Sequence, residues 1–507
     1  MTATATARTP AGASGATPRA ARPLEGRAGL ALLVAAVVAG VTGAAAGLVG
    51  GPLWLDEAIS VEIARRPVPE LLAALRLDGA PPLYYLLLHG WMLVLGDGTV
   101  AVRVLTLLLL PVALLLAWRV GDRLHGRSGA VAAVTVLAAL PWTMRYGSET
   151  RMYLLVVVLV LAGVLALLAV RTAGTWPAVL ALGACSGALL LTHYWSLFLL
   201  AAVGLWHLPG LLRWRADALR VVAGLAVGAA VFTPWLPTFL FQAQRTGAPW
   251  AVPPDVFDLL RTPSFWGGGA VEGRVVLAVL LVQLVVLATV LLPVSRPVAG
   301  VAGTALLLAW IGAQLSEGAY TGRYTAVVVP LVAVAAGLGA AALPGRWPVV
   351  ALAAVVGVGA GTGIPAAAAP RAAADRIAET FREAADPGDV LVYCPDQLGP
   401  PVAREIGPGY EQVVYPTLAG PELVDWVDYE QRNRAASPAE VADRLDQLAG
   451  ERQLFVLRAT GYRTYQRDGS DDCAAVTRWL EARRGTPERL ISTGGSRAQV
   501  LFQFDGR

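Results

Sequence analysis

The sequence predicts an α-helical, polytopic membrane protein with a small α/β domain at its C-terminal end. Three observations carry that prediction. Mean hydropathy is +0.58 and only 15% of the 507 residues are charged, against roughly 25% in soluble domains. The deficit is uneven: residues 29–365 are mostly long apolar runs, whereas 366–507 read as ordinary soluble sequence. The apolar runs also approach the roughly 20 residues that a helix needs to cross the hydrocarbon core.

Residues 1–27, rich in Ala, Thr, Gly and Pro with Arg8, Arg19, Arg22 and Arg27, read as a disordered cytoplasmic arm. The run from Ala28 to about Gly50 is longer than the 7–15 residues of a signal-peptide core, so it reads as an uncleaved first span. Further spans are expected at about 101–118, 129–143, 152–170, 177–192, 196–212, 221–236, 274–293, 298–315, 326–343 and 347–365. The shorter piece 82–96 reads as a re-entrant or interface-lying helix. With eleven full spans, the basic connections at Arg119/Arg123/Arg127, Arg171, Arg213/Arg215/Arg220, Arg296 and Arg346 all share the side of the Arg-rich N-terminus. The excess of cations on cytoplasmic loops then places the N-terminus inside and residues 366–507 outside, in a plasma-membrane protein.

In the tail, the turn Asp386-Pro-Gly precedes a buried strand at Asp389–Cys394. A helix from Pro438 to Leu448 with Ser437 as its cap, a strand from Gln453, a helix from Asp471 to Arg484 and a strand from Ala498 follow. This alternation predicts a small α/β layer. It contains no Gly-rich phosphate loop, which argues against a nucleotide site. Cys394 and Cys473 either pair or remain free thiols, and Cys185 reads as apolar filler. All 40 basic residues are Arg. Codon bias accounts for that, although Arg also suits bidentate phosphate binding.

The expected orientation gathers the unusual polar residues on the outer face. Asp56 and Glu57 follow the first span beside Trp54. They read as solvated acids at a helix N-terminus or as working carboxylates. Pro81-Pro82 enforces an extended entry to the short helix and is followed by Tyr84 and Tyr85, residues that also suit an interfacial aromatic belt. Arg145, Glu149, Arg151 and Tyr153 crowd one short turn, as an ion pair or as a site. His193 ends a span, and Glu317 to Tyr324 again combines Arg323 with a tyrosine. A base among Asp56, Glu57 and Glu149 would deprotonate an acceptor hydroxyl. Arg151, His193, Arg323 and Tyr324 would stabilise charge on a departing phosphate.

The ordered set Trp54-Leu-Asp56-Glu57, Pro81-Pro82-Leu-Tyr84-Tyr85, Ser148-Glu149-Thr-Arg151-Met-Tyr153, Thr192-His193-Tyr194 and Gly322-Arg323-Tyr324 resembles the lipid-dependent glycosyltransferases of the GT-C superfold. It is most similar to the GT39-type bacterial branch, which includes protein O-mannosyltransferases and the aminoarabinose transferase of lipid A. The resemblance covers roughly residues 50–365. It implies Asp56 as catalytic base or acceptor orienter, Glu57 as a neighbour holding the loop and Glu149 as a second acid facing the cavity. It implies Arg151, His193, Arg323 and Tyr324 as contacts to the donor phosphate. Trp54, Pro81, Pro82, Tyr84, Tyr85 and Tyr153 would form the cavity wall. Many relatives carry His, Lys or Glu just before the Pro-Pro pair, where this chain has Gly79-Ala80. Either Asp78 compensates or the acceptor differs.

The implied activity is inverting transfer of a sugar from a polyprenyl-phosphate donor to an extracytoplasmic cell-wall glycan, glycolipid or protein. The residue set requires no cofactor, although acid pairs can bind a divalent metal. The competing reading is a transporter or flippase without covalent chemistry. That reading expects charges near the midplane and an inverted repeat. The charges here cluster at one face, and no repeat is evident.

Overall fold

A computed structural model describes residues 23–268, 271–316, 318–467, 469–494 and 498–506. Most of the expected N-terminal arm, residues 1–22, and Glu317 therefore lie outside the described residues. The membrane part comprises α1 (Arg27–Leu48), α2 (Leu55–Ala64), α3 (Val68–Asp78), α4 (Leu83–Leu95), α5 (Thr99–Ala139), α6 (Pro141–Tyr146), α7 (Tyr153–Thr172) and α8 (Trp176–Leu190). It continues with α9 (Ser196–Leu211), α10 (Ala216–Phe232), α11 (Leu236–Arg245), α12 (Val256–Leu260), α13 (Val271–Leu291), α14 (Arg296–Leu315), α15 (Val329–Ala341) and α16 (Trp347–Ala368).

Among the described residues, seven helical stretches are long and apolar enough to cross a membrane, and four further apolar helices are shorter. The chain is a multi-pass membrane protein. Runs such as Val156-Val-Val-Leu-Val in α7 would suit a strand in water. In lipid, a helix satisfies every backbone group within its own segment, so such runs are helical.

Two expected boundaries differ. The basic connection around Arg119–Arg127 is largely helical, because α5 runs from Thr99 to Ala139 and breaks only at His125 and Gly126, the latter at φ +67. The expected outer loop after the seventh apolar run begins with α11, whose Pro237 occupies the first helical turn.

Lipid tails give no hydrophobic drive for helices to meet, so small residues set the packing. A Cβ at Gly359 of α16 would lie 2.1 Å from the Ala139 carbonyl oxygen of α5, and one at Gly339 of α15 would lie 1.8 Å from that of Leu284 in α13. These backbones approach as closely as glycine allows.

The C-terminal part opens with α17 (Ala374–Ala384) and β1 (Val390–Cys394). It then runs through α18 (Gly399–Ile406), β2 (Glu411–Val414), α19 (Tyr429–Ala435), α20 (Pro438–Ala449), β3 (Leu454–Ala459), β4 (Gln466–Arg467) and β5 (Ser470–Asp471), and closes with α21 (Asp472–Arg484), β6 (Glu488–Ser492) and β7 (Gln499–Phe504). The main sheet has the order β2-β1-β3-β7-β6, parallel across β2-β1-β3 and antiparallel across β3-β7-β6. Every residue of β1 is buried, as expected of a parallel strand covered on both faces. One face carries Leu391, Tyr393 and Phe455 against Ile377 and Phe381 of α17. The other carries Val392 and Val456 near Val441, Leu445 and Val476 of α20 and α21. Ser437 caps α20 by accepting from the Glu440 amide at 3.4 Å, and Cys394 and Cys473 form a disulfide. Strands β2 and β6 were not evident in the sequence.

This α/β unit is docked on the membrane part. Arg245 of α11 pairs with Asp428, the Trp426 amide donates to the Leu77 carbonyl at 3.2 Å, and Arg404 of α18 reaches Glu62 of α2 at 3.5 Å.

Candidate active site

Helix α1 stops at the Gly50-Gly51-Pro52 turn, where Gly51 adopts φ +101, and the chain re-enters as α2. The two acids of that entry have different surroundings. Glu57 is buried and accepts a bidentate pair from Arg103, Nε to Oε1 at 3.0 Å and Nη2 to Oε2 at 2.7 Å. Its Oε1 also accepts from the Thr150 amide at 2.9 Å, and its Oε2 from the Trp54 amide at 3.4 Å. Arg103 in turn donates to the carbonyls of Leu48, Gly51 and Pro52 at 2.9–3.2 Å. Glu57 is thus fully engaged in fastening the first loop to α5. Asp56 is only half-buried, and its Oδ2 lies 3.4 Å from Arg323 Nη1.

Arg323 belongs to the loop before the single turn Tyr324–Val327, a loop that Trp142 holds by donating to the Gly322 carbonyl at 3.0 Å. The guanidinium lies 5.1 Å from the Trp250 ring centroid, 5.5 Å from that of Tyr324 and 5.6 Å from that of Trp54. Arg151 donates through Nη1 to Ser60 Oγ at 2.8 Å, to Tyr85 Oη at 3.0 Å and to the Asp56 carbonyl at 3.3 Å. The Tyr85 hydroxyl donates onward to Asp78 at 3.2 Å. Burial, reinforced by Asp56 and opposed by Arg151, raises the Asp78 carboxyl to about 6. Asp56, Asp78, Arg151, Arg323, Tyr324 and Trp250 line one cavity of about 140 Å³.

His193 sits in the turn between α8 and α9 against Tyr324, with ring centroids 5.2 Å apart, and against Tyr153 at 6.1 Å. Its Nδ1 accepts from the Trp195 amide at 3.2 Å, which puts the ring proton on Nε2. Burial, with Arg151 and Arg323 nearby, lowers its pKa to about 3, so the ring is neutral. Tyr153 is buried and its hydroxyl has no hydrogen-bond partner among the described residues.

Glu149 lies apart from Asp56. Its Oε2 is paired with Arg371 from the segment joining α16 to α17, its Oε1 has no hydrogen-bond partner among the described residues, and a small space beside it is lined by Arg145, Arg103 and Glu57. Burial pushes its carboxyl up, against the pull of Arg371. The Arg371 guanidinium stacks 3.6 Å from the Trp54 ring centroid.

Pro81 and Pro82 are buried, and the Leu83 amide donates to the Leu191 carbonyl at 2.9 Å, tying the start of α4 to the His193 turn. Tyr84 points into the helices, 3.4 Å from Thr106. Just before that pair, the Ala80 carbonyl accepts from Gln242 Nε2 at 3.5 Å.

The structure therefore gathers Asp56, Arg151, His193, Arg323 and Tyr324 with Trp54, Tyr85 and Tyr153. It sets Glu57 and Glu149 to one side in separate ion pairs. Sequence reasoning missed Arg103, Arg371, Trp250 and Trp426. The signal for Arg103 was a cation a single turn into an apolar run, costly unless paired. No group of three or more His, Cys, Asp or Glu side chains is placed to hold a metal among the described residues.

Among the described residues, seven long and four shorter apolar helices, a polar chamber at one end of them and an α/β unit docked over it make up the GT-C fold. The structure is similar to that of ArnT from Cupriavidus metallidurans, solved bound to undecaprenyl phosphate, with a TM-score of 0.61 and 14% identity over 94% of this chain and 98% of that one. The apo form of the same protein gives 0.56 and 14% over 94% and 97%. The oligosaccharyltransferase of Archaeoglobus fulgidus, in complex with Zn and sulfate, gives 0.50 and 9% over 84% of this chain and 68% of that one. No family model matches the sequence, and no curated protein matches it. At these identities the likeness establishes the fold.

Proposed function

We propose that this chain is a GT39-like membrane glycosyltransferase. It moves a sugar from a polyprenyl-phosphate donor to an extracytoplasmic hydroxyl acceptor, with inversion at the anomeric carbon. The observation that carries this reading is a carboxylate, Asp56, 3.4 Å from Arg323 in a cavity that Arg151 and Tyr324 also line. A base and phosphate-type cations in one chamber are what displacement of a phosphate ester needs. The undecaprenyl phosphate bound by the similarly folded ArnT supports the donor class.

In the proposed step Asp56 takes the proton of the acceptor hydroxyl as its oxygen attacks the anomeric carbon. The bond from that carbon to the phosphate oxygen breaks, and the lipid phosphate leaves with the electron pair. Arg323 and Arg151 stabilise the charge gathering on it, and His193 donates from Nε2. Before the donor arrives Arg323 faces Asp56. A phosphate drawing the guanidinium away would leave Asp56 free to accept a proton. Glu57, locked to Arg103, acts as a positioning residue. No step is assigned to a metal.

The basic inner loops support a cytoplasmic N-terminus, and the Cys394–Cys473 disulfide supports an oxidising, extracytoplasmic setting for the α/β unit. The test is Asp56→Asn in nanodiscs. Sugar transfer should fall at least about hundredfold, the scale of general-base catalysis, while undecaprenyl phosphate still binds. Transfer within about threefold of wild type would remove Asp56 from the mechanism.

A further inference from the structure

Away from the chamber the bundle holds a second cavity, of about 390 Å³, between α7, α8, α9 and α14. Its volume lies in the range of about 300–1,000 Å³ that accommodates a bound molecule. Along α7 it runs from Val160 to Arg171, a length of about 16 Å at the helical rise. Its walls are mostly aliphatic. Ser186 lines it, but that hydroxyl is spent on the Leu182 carbonyl at 2.8 Å. A Cβ added at Gly163 would meet nothing closer than Cys185 Cβ at 3.7 Å, so the helices leave room there. A gap that wide forfeits dispersion contacts unless something apolar fills it.

The unspent polarity lies at the end remote from the chamber. Arg171, in the last turn of α7, and His207, near the end of α9, both line the cavity. Arg171 is exposed and has no carboxylate partner among the described residues. The Arg220 guanidinium, also without one, lies over the turn from α7 to α8: a Cβ at Gly174 would come 2.5 Å from its Nη1. The stretches joining helices at that end, 119–127, 171–175, 212–220, 292–297 and 342–346, carry nine Arg against Asp122 and Asp217, and Arg215 takes Asp217 at 3.1 Å. Trp176, Trp206, Trp214 and Trp347 are exposed at the same end, which marks the level of the lipid headgroups. An aliphatic slot thus ends, at headgroup depth, beside two guanidiniums that lack a counter-charge.

We infer that this cavity is a site for an anionic phospholipid, with one acyl chain lying in the slot and the phosphate held by Arg171 and Arg220. It is separate from the proposed donor site, because the headgroup sits at the opposite end of α7 from Arg151. The inference does not depend on glycosyl transfer.

The full chain in detergent micelles is titrated with phosphatidylglycerol and with phosphatidylcholine of the same acyl chains, and bound lipid is counted by native mass spectrometry. Attraction of an anionic headgroup is worth roughly fivefold per arginine, so phosphatidylglycerol should bind at least about tenfold more tightly. Arg171→Ala with Arg220→Ala should cut that preference to about threefold or less, and both side chains are exposed, so the fold tolerates the change. Gly163→Leu fills the slot and leaves both arginines in place; it should weaken phosphatidylglycerol binding at least about tenfold, the scale of one lost apolar chain contact. Equal affinity for the two lipids, a preference that survives the double substitution, or unchanged binding in Gly163→Leu overturns the inference. So does displacement of phosphatidylglycerol by saturating undecaprenyl phosphate, which would give the slot to a polyprenyl chain; the two are expected to bind together. Failure of undecaprenyl phosphate to bind at all would instead overturn the donor reading and leave this site standing.

Discussion

Glu57 and Arg103 offer the sharpest test of how the first loop is held. Both side chains are almost fully buried, at 2% and 6% exposure, and they meet at 2.7 Å. Glu57→Ala would leave the guanidinium its three carbonyl contacts but no counter-charge, and would strip the Thr150 amide of its acceptor. Breaking a buried pair from one side costs about 3–5 kcal/mol, and the orphaned amide adds about 1 kcal/mol. Arg103→Ala should cost a similar amount. The double variant should cost far less than the sum, because each single change already removes the pair. Unfolding free energies from SDS titration of the wild type, both singles and the double give the coupling, expected at about 3 kcal/mol. Glu57→Leu with Arg103→Met should recover stability without recovering transfer, since Asp56 sits on the backbone this pair fixes. A coupling below about 1 kcal/mol, the value of an exposed pair, would refute the fastening role.

Three further outcomes are expected. Asp78 is raised from 3.8 to about 6, so the folded chain keeps a proton that the unfolded chain has released. Its contribution to stability is full below 3.8 and lost as pH rises through about 6. The wild type should therefore lose stability across that window and Asp78→Asn should not, and parallel profiles would contradict the assignment. Gly359→Val should destabilise the bundle by about 2 kcal/mol or more, because its Cβ would lie 2.1 Å from a backbone oxygen that cannot move cheaply; an unchanged melting temperature would contradict that packing. Transfer measured with excess EDTA should match transfer without it, since the proposed charge stabilisation comes from arginines; a loss restored by a divalent cation would bring a metal into the step.

Much of the membrane part was legible because hydropathy is read over twenty residues at a time and tolerates local irregularity. The apolar runs, the short 82–96 piece and the expectation that Asp56 and Arg323 share one face all came from position relative to those runs. The break in α5 was less legible. His125-Gly126 looks like part of a basic loop, and only the backbone reveals that helix continues on either side of it. In the α/β unit, β1, β3 and β7 announce themselves as apolar runs. By contrast β2, Glu411-Gln-Val-Val, is half-exposed and lacks that mark.

The candidate site divides the same way, and the division has a physical cause. Residues that face the chamber sit in short polar islands between spans, so sequence order alone exposes them. Which acid is left facing the cavity is decided by partners far away in the chain. Glu57 stands next to Asp56 and is chemically almost the same, yet Arg103, 46 residues on, occupies both its oxygens. Glu149 is likewise held by Arg371, 222 residues away in the segment leading to the α/β unit. Adjacent carboxylates are thus sorted into one locked in a buried ion pair and one lining the cavity by an arginine that no local motif contains. The same segment carries Arg371 into contact with Trp54 and leads directly into α17. The docking of the α/β unit therefore bears on the charge inside the chamber as well as on its roof, and loosening the Arg245–Asp428 contact should disturb acceptor use before donor binding.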